Sequence, residues 1–252
     1  MEFKVQTEEI ELPSKGLLYP KESPLASGKI EMKYMTAKEE DIITNTNYIK
    51  KGIAIDKLMQ ALIVSPIDYN ELLIGDKNAI MVASRILGYG PNYSFEYDGE
   101  THEINLSQID SKPLDPELYS EQALNIKENK NEFNFTLPSS GHLVTFKFLT
   151  HRDEKAIDRE LEGLKKINKD ASPDISTRLK YLITSVNGDR ETKTIREFVD
   201  KYLLARDAKA LRAYIKKIQP DIDLTFFPDG NGERVNIPIR TSFFWPDDES
   251  SE

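Results

Sequence analysis

The 252-residue chain contains no cysteine, which excludes disulfide bonds and zinc sites built on thiolates. It has no apolar run close to the roughly 20 residues that a membrane-spanning helix needs. The segment Met1–Lys4 also lacks the basic start and the apolar stretch of a signal peptide. We therefore expect a cytosolic protein that has no membrane partner.

The chain also has fewer basic than acidic residues. Lys and Arg total 34 against 43 Asp and Glu, which gives a formal net charge of −9 at pH 7. Binding to phosphate backbones needs clustered Lys and Arg, so this balance argues against a nucleic-acid partner. The basic pairs at 165–166 and 216–217 stand among acidic residues, a pattern typical of solvated helix faces.

Motifs for catalysis and metal binding are missing too. The three histidines, His102, His142 and His151, have no second histidine at helical metal-ligand spacing. We expect His151, in the first turn of a helix, to be solvated. Phosphate loops and nucleophile elbows do not occur. The Asp-Gly-Asn-Gly segment at 229–232 predicts a hairpin turn, because it lacks the later residues of a calcium loop. We predict a non-enzymatic protein without cofactor or metal.

The sequence does contain an internal repeat. Leu-Pro-Ser-Lys-Gly at 12–16 returns as Leu-Pro-Ser-Ser-Gly at 137–141. The strand-like run at 30–40 matches 144–154, and the segment at 76–80 matches 207–211. A repeated module favours a scaffold with two similar surfaces over a single catalytic pocket.

The repeat predicts an α+β fold made of two tandem related units, each with short antiparallel strands and about three to four helices. The predicted organisation is a first unit at 1–110, a connecting segment at 111–131, a second unit at 132–246 and a flexible acidic tail at 247–252.

Local patterns place the elements within these units. Thr36 with Glu39, and Thr150 with Asp153, predict a capping box at the start of one helix in each unit. Asp98-Gly99 predicts a tight hairpin turn. Asp76 is a plausible N-cap. Helices are predicted at 37–51, 55–63, 76–87, 151–168, 174–187, 192–205 and 207–218, and strands at 5–12, 30–34, 93–97, 104–106, 133–137 and 143–149.

Two apolar segments leave alternatives open. Phe243, Phe244 and Trp245 precede a proline near the end of the sequence, where they either pin the tail across the second unit or wait for a partner. Leu17, Leu18 and Tyr19 follow the first Leu-Pro-Ser turn, where they either contact a partner or cap the core of their own unit.

Several of these motifs together resemble the T4-type bacteriophage baseplate protein family, which includes hub assembly proteins. The resemblance covers residues 10–110 best and the second half more loosely, through 137–154 and Phe-Phe-Trp-Pro at 243–246. The segments that carry it are Leu-Pro-Ser-Lys-Gly at 12–16, Tyr-Pro at 19–20, Gly-Lys-Ile-Glu-Met at 28–32, Met-Thr-Ala-Lys-Glu-Glu-Asp at 35–41, Ile-Lys-Lys-Gly-Ile-Ala-Ile-Asp-Lys-Leu at 49–58 and Leu-Ile-Gly-Asp-Lys-Asn at 73–78.

The resemblance implies a chaperone-like role in the host cytoplasm, in which the chain binds baseplate hub proteins during virion assembly. A permanent place in the tail baseplate of the virion is the alternative, and self-association is also open. Some family members carry a Cys-x-x-Cys knuckle in their hairpins, which this chain lacks. The residues expected to contact a partner are Leu17, Leu18, Tyr19, Asp98, Phe243, Phe244 and Trp245.

Overall fold

The computed structural model describes residues 4–115, 126, 128–168, 173–228, 232–239 and 241–244. The predicted tail at 247–252 and Trp245 lie outside these residues. The elements of the first half are β1 (Thr7–Glu11), β2 (Lys29–Lys33), α1 (Ala37–Ile43), α2 (Thr46–Lys50), α3 (Ala54–Leu62), α4 (Ile74–Tyr89), β3 (Asn92–Tyr97) and β4 (Glu100–Asn105).

The second half follows after a short strand, β5 (Ser111–Lys112). Its elements are β6 (Phe133–Thr136), β7 (Leu143–Phe146), α5 (His151–Ile167), α6 (Asp174–Leu182), β8 (Ile183–Val186), α7 (Thr192–Lys201), α8 (Ala205–Ile218), β9 (Asp221–Ile222), β10 (Thr225–Phe226), β11 (Val235–Asn236) and α9 (Thr241–Phe244).

The strands form small antiparallel sheets. Within the described residues, β1 pairs with β2, β3 with β4, β5 with β9 and β10 with β11, and the remaining sheet has the order β6-β7-β8. Helices and antiparallel strands are thus mixed along the chain, which confirms the predicted α+β class.

Both predicted capping boxes are present. Glu39 accepts hydrogen bonds from the amide and the hydroxyl of Thr36, at 3.1 and 2.6 Å. Asp153 accepts from the amide and the hydroxyl of Thr150, at 2.9 and 3.0 Å. A lysine on the preceding strand end completes each cluster, with Lys33 on Glu39 and Lys147 on Asp153. The same local chemistry therefore starts a helix in each half.

The halves share a second feature next to these caps. Met32 of β2 forms an antiparallel bridge with Ile63, just after α3. Phe146 of β7 pairs with Ile183, just after α6. In both halves a strand thus pairs with the residue that directly follows a helix, α3 in the first half and α6 in the second.

Several element predictions were wrong in their bounds, and the helix predicted at 192–205 ends at Lys201, before α8 begins at Ala205. The helix predicted at 37–51 is two helices, because the side chain of Asn45 accepts from the amides of Asn47 and Tyr48 and starts α2. The helix predicted at 174–187 ends at Leu182, and the residues Ile183–Val186 pair with β7 instead. Their β-branched side chains suit a strand. The helix predicted to begin at Asp76 begins at Ile74, with Leu73 as the N-cap.

A single hydrophobic core runs through both halves. It includes Leu58 and Leu72 of the first half together with Phe146 and Leu211 of the second. The strand β5, inside the segment predicted to connect the units, pairs with β9. The halves are therefore packed against each other.

Candidate docking surfaces

The first Leu-Pro-Ser turn is held by a buried carboxylate. Asp76 accepts from the amide of Ser14 at 2.9 Å and from its hydroxyl at 2.7 Å. Tyr19 donates to the same carboxylate at 2.6 Å, and its oxygen accepts from the amide of Leu73 at 2.9 Å. Burial raises the pKa of Asp76 despite these hydrogen bonds. The cluster joins the turn, the loop that follows it and the start of α4.

The second half repeats this arrangement. Asp207, in the first turn of α8, accepts from the amides of Ser139 and Ser140 at 2.7 and 3.0 Å. Burial alone would raise the pKa of Asp207, but the hydrogen bonds from the two serines outweigh it and lower the pKa. The motif residues that carry the family resemblance are thus structural in both halves.

The loop residues predicted to contact a partner are mostly buried. Leu18 and Tyr19 are 2% and 4% exposed, and Leu17 is half-buried against the core. In this conformation Leu18 and Tyr19 cannot reach a partner. The alternative left open by the sequence, in which the segment caps its own core, describes their position.

The aromatic segment near the end of the sequence is also internal. Phe243 and Phe244 are fully buried, and the ring of Phe243 packs edge-on against Tyr93 at 4.8 Å. They therefore pin α9 onto the first half. Neither alternative from the sequence, a tail pinned across the second unit or a segment that waits for a partner, describes this position. Asp98 is exposed at the tip of the β3-β4 hairpin, with a φ of 51°. Among the predicted contact residues that the structure describes, Asp98 is thus exposed and Leu17 is partly exposed.

A backbone contact joins the two halves. The amide of His151 donates to the carbonyl of Leu72 at 2.8 Å, and the amide of Ile74 donates to the carbonyl of Leu149 at 3.1 Å. Leu73 and Thr150 form the antiparallel bridge between these two bonds. The start of α4 is thereby paired with the start of α5.

A polar cluster lies beside this backbone contact. His151 is 2% exposed, so the prediction of a solvated side chain was wrong. Its Nδ1 lies 3.1 Å from Nζ of Lys77, and its Nε2 lies 3.3 Å from Oδ2 of Asp56. With Lys77 as donor, Nδ1 is the acceptor, and Nε2 lies close to the carboxylate without forming a hydrogen bond to it. Tyr69 packs edge-on against the imidazole at 4.7 Å.

The charged groups of this cluster shift the pKa values of their neighbours. Burial alone would raise the pKa of Asp56, but the imidazole of His151 and the charge of Lys77 hold it well below its ordinary value of 3.8. Burial raises the pKa of Tyr69, and the neighbouring Asp56 carboxylate adds to the effect. Arg152 forms a further ion pair with Glu71 at the edge of the contact. Asp56 and Lys77 fall within the segments at 49–58 and 73–78 that carry the family resemblance. The sequence did not indicate that they meet His151, because His151 lies in the other half of the chain.

A groove of about 1340 Å³ opens at the junction of the halves. Ile222 and Leu224, both partly exposed, contribute its apolar surface, and Lys15 of the first Leu-Pro-Ser-Lys-Gly turn also lines it. Lys112 lines it and donates to the carbonyl of Lys216. The remaining charged residues around it are Asp110, Asp115, Asp221, Asp223, Lys216 and Arg234, so that both signs of charge are present.

The described residues contain no group of three or more His, Asp and Glu side chains placed to hold a metal ion. In that same part of the chain, no helix is both long and apolar enough to span a bilayer.

Comparison with known proteins identifies no relative. No family model matches the chain, and no curated protein or solved structure matches it either. The resemblance to baseplate proteins therefore stays a prediction carried by the motifs named above.

Proposed function

We propose that this chain is an assembly factor for the baseplate hub of a T4-type bacteriophage, acting without catalysis in the host cytoplasm. It would bind a hub subunit before assembly, prevent wrong association and yield to the subunit's proper partner. Nucleic acids and membranes have no part in this proposal, in keeping with the acidic net charge of −9.

One observation carries the proposal beyond the sequence resemblance. Lys15, which belongs to the motif at 12–16, lines the groove between the halves. The motif that suggests the family therefore borders a concave surface large enough to hold a segment of another protein. The partly exposed apolar residues Ile222 and Leu224 beside charged groups of both signs suit a segment that carries apolar and charged side chains together.

Capture from phage-infected cells tests this function. We expect the tagged chain to retain a baseplate hub subunit, identified by mass spectrometry. The double substitution Lys15→Glu/Lys216→Glu reverses two charges on exposed residues of the groove and should reduce capture at least tenfold, which corresponds to about 1.4 kcal/mol of binding free energy.

A matched control is available on α5. The double substitution Lys165→Glu/Lys166→Glu makes the same charge change on exposed residues that do not line the groove. It should leave capture unchanged. Equal capture by both double variants would exclude the groove as the docking surface, and failure of the wild-type chain to retain any baseplate protein would refute the proposed function.

A permanent structural subunit of the baseplate hub is the second candidate, favoured by the single core that runs through both halves. Such a rigid framework would suit a subunit that remains in place. Mass spectrometry of purified virions separates the two roles, since an assembly factor should be absent or scarce in finished particles.

A further inference from the structure

The contact between the halves uses two edges that each occur twice in the chain. We define the leucine edge as 72–74 in the first half and, by the match of Asp76 with Asp207, as 203–205 in the second. We define the threonine edge as 149–151 in the second half and, by the matching capping boxes, as 35–37 in the first. One copy of each edge is used inside the chain, and one copy of each is left over.

The edges used inside the chain are buried, and the unused edges are exposed to solvent. Leu73 on the used leucine edge is 3% exposed, whereas Leu204 at the matching place is 49% exposed. On the threonine edges, His151 is 2% exposed, whereas Ala37 at the matching place is exposed together with Thr36. Each half thus presents to solvent the edge that its counterpart buries.

The unused leucine edge also keeps free backbone groups. The amide of Ile74 is bonded to Leu149 across the contact, but the matching amide of Ala205 has no partner among the described residues. Leu204, the N-cap of α8, offers no side-chain cap either. The start of α8 therefore exposes the backbone donor that α4 satisfies through the other half.

The two halves are joined here by a contact between different surfaces, without the symmetry of a pseudo-twofold axis. In a pseudo-twofold pair, the contact of Leu73 with Thr150 would be accompanied by a second contact of Leu204 with Thr36. The exposure of Leu204 and Thr36 shows that this second contact is not made. Because the contact joins two different surfaces, one leucine edge and one threonine edge remain unused. Each of these unused edges can bind the complementary edge of another copy.

We propose that a second copy of this chain docks head to tail, with the leucine edge at 203–205 of one copy pairing with the threonine edge at 35–37 of the next. This inference does not depend on the role in phage assembly. The next copy would repeat between molecules the backbone pairing that Leu73 and Thr150 make within one.

The side chains around the unused edges agree with this pairing. Tyr202, 59% exposed, stands where Glu71 stands in the used contact, and the exposed Lys38 stands where Arg152 stands. The ion pair of Arg152 with Glu71 would thus be replaced by a lysine beside an aromatic ring, which is also attractive.

One position limits how tight the new contact can be. A Cβ added to Gly75 would lie 2.0 Å from the carbonyl oxygen of Pro220, so this close approach requires glycine. Arg206 occupies the matching position on α8 and is exposed. The contact between copies is therefore confined to the edges themselves, and we expect it to be weaker than the one within the chain.

Two substitutions block the two edges separately. Leu204→Asp places a charge on the leucine edge, and aspartate at an N-cap favours the helix, so α8 should still form. Ala37→Arg puts a large cation on the threonine edge, opposite Leu203 in the register of the used contact, at a cost to α1 of at most about 1 kcal/mol. Ile167→Asp, at an 86% exposed position on α5, is the control.

Sedimentation of the purified full chain at increasing concentration tests the inference. We expect the mass of wild type and of Ile167→Asp to rise with concentration, and each edge variant alone to weaken association at least tenfold. A mixture of Leu204→Asp with Ala37→Arg should form dimers and nothing larger, because each variant keeps the edge that the other has lost.

Three results would overturn the inference. Wild type could remain monomeric up to about 1 mM, where binding of roughly −4 kcal/mol would be detected. Either edge variant could associate as strongly as wild type. The mixture could fail to form dimers although both variants retain the near-ultraviolet circular dichroism of the folded chain.

Discussion

Ser14 is bonded to Asp76 through both its amide and its hydroxyl, although the two residues lie 62 positions apart in the chain. Asp207 accepts two amide hydrogen bonds in the second half from Ser139 and Ser140. In each half, a carboxylate in the first turn of a helix thus holds the Leu-Pro-Ser turn. This internal contact explains the Leu-Pro-Ser part of the motif, whereas Lys15 is exposed and lines the groove.

Asp76→Asn should lower the free energy of unfolding by about 1–3 kcal/mol. The amide group would turn a hydrogen-bond donor toward the hydroxyls of Ser14 and Tyr19, which both donate to the same carboxylate oxygen in the wild type. Urea denaturation measures the change. Asp41→Asn, on the exposed face of α1, should stay within about 0.5 kcal/mol of wild type. Equal effects of the two substitutions would show that the cluster contributes nothing specific.

Gly75→Ala and Gly163→Ala should change stability in opposite directions. A Cβ at Gly75 meets the carbonyl oxygen of Pro220 at 2.0 Å, so α4 must move away from the other half, at a cost of roughly 1–3 kcal/mol. A Cβ at Gly163, inside α5, meets no atom within 4 Å, so alanine should stabilise that helix by about 0.5–1 kcal/mol. Thermal unfolding of the two variants beside wild type distinguishes them. A stable Gly75→Ala protein would contradict the close packing of the halves.

Asp56→Asn should reduce stability in a way that depends on pH. The pKa of Asp56 is lowered in the folded chain, so the ionised carboxylate stabilises the fold fully above the ordinary value of 3.8. This contribution is lost as the pH falls below 3.8 toward the folded pKa. The difference between wild type and variant should therefore be about 2 kcal/mol at neutral pH and shrink below roughly pH 4.

Urea titrations at several pH values measure this difference. Asp41→Asn again serves as the control, because an exposed carboxylate should give a small difference at every pH. A difference for Asp56→Asn that grew as the solution became more acidic would reverse the sign and refute the assignment.

Phe243→Ala should destabilise the fold by about 3–5 kcal/mol, because the ring is fully buried against Tyr93 and Phe244. Phe227→Ala removes the same atoms from a side chain that is 45% exposed and should cost no more than about 1 kcal/mol. Guanidinium denaturation compares the two. Similar small losses for both variants would mean that the segment at 241–244 is not part of the core.

Local chemistry explains which parts of the fold were predictable. Thr36 with Glu39, Thr150 with Asp153, and Asp98-Gly99 each depend on hydrogen bonds or dihedral angles within a few residues, and all three predictions are confirmed. The strand predicted at 30–34 is likewise present as β2, with Ile30 and Met32 buried and Tyr34 exposed. The prediction of one helix over 37–51 failed because Asn45, a cap residue, interrupts an otherwise suitable pattern.

The candidate docking surfaces were harder to predict from the sequence. Tyr19 and Phe243 are apolar and lie in short irregular segments, so the same pattern suits a contact residue and a core residue. His151 showed no signal of burial, since Asp56 and Lys77, which surround it, come from the other half of the chain. The tandem-unit organisation itself stays a prediction, although the matched contacts agree with it.

Composition and short-range spacing were thus sufficient to specify the α+β class and the two helix starts at Thr36 and Thr150, because the forces that form a capping box act between near neighbours. The tertiary structure decided which of the two leucine edges is buried and which is exposed. Leu73 and Leu204 occupy equivalent places in the sequence, yet one is buried and the other is half exposed, because Thr150 lies opposite only the first.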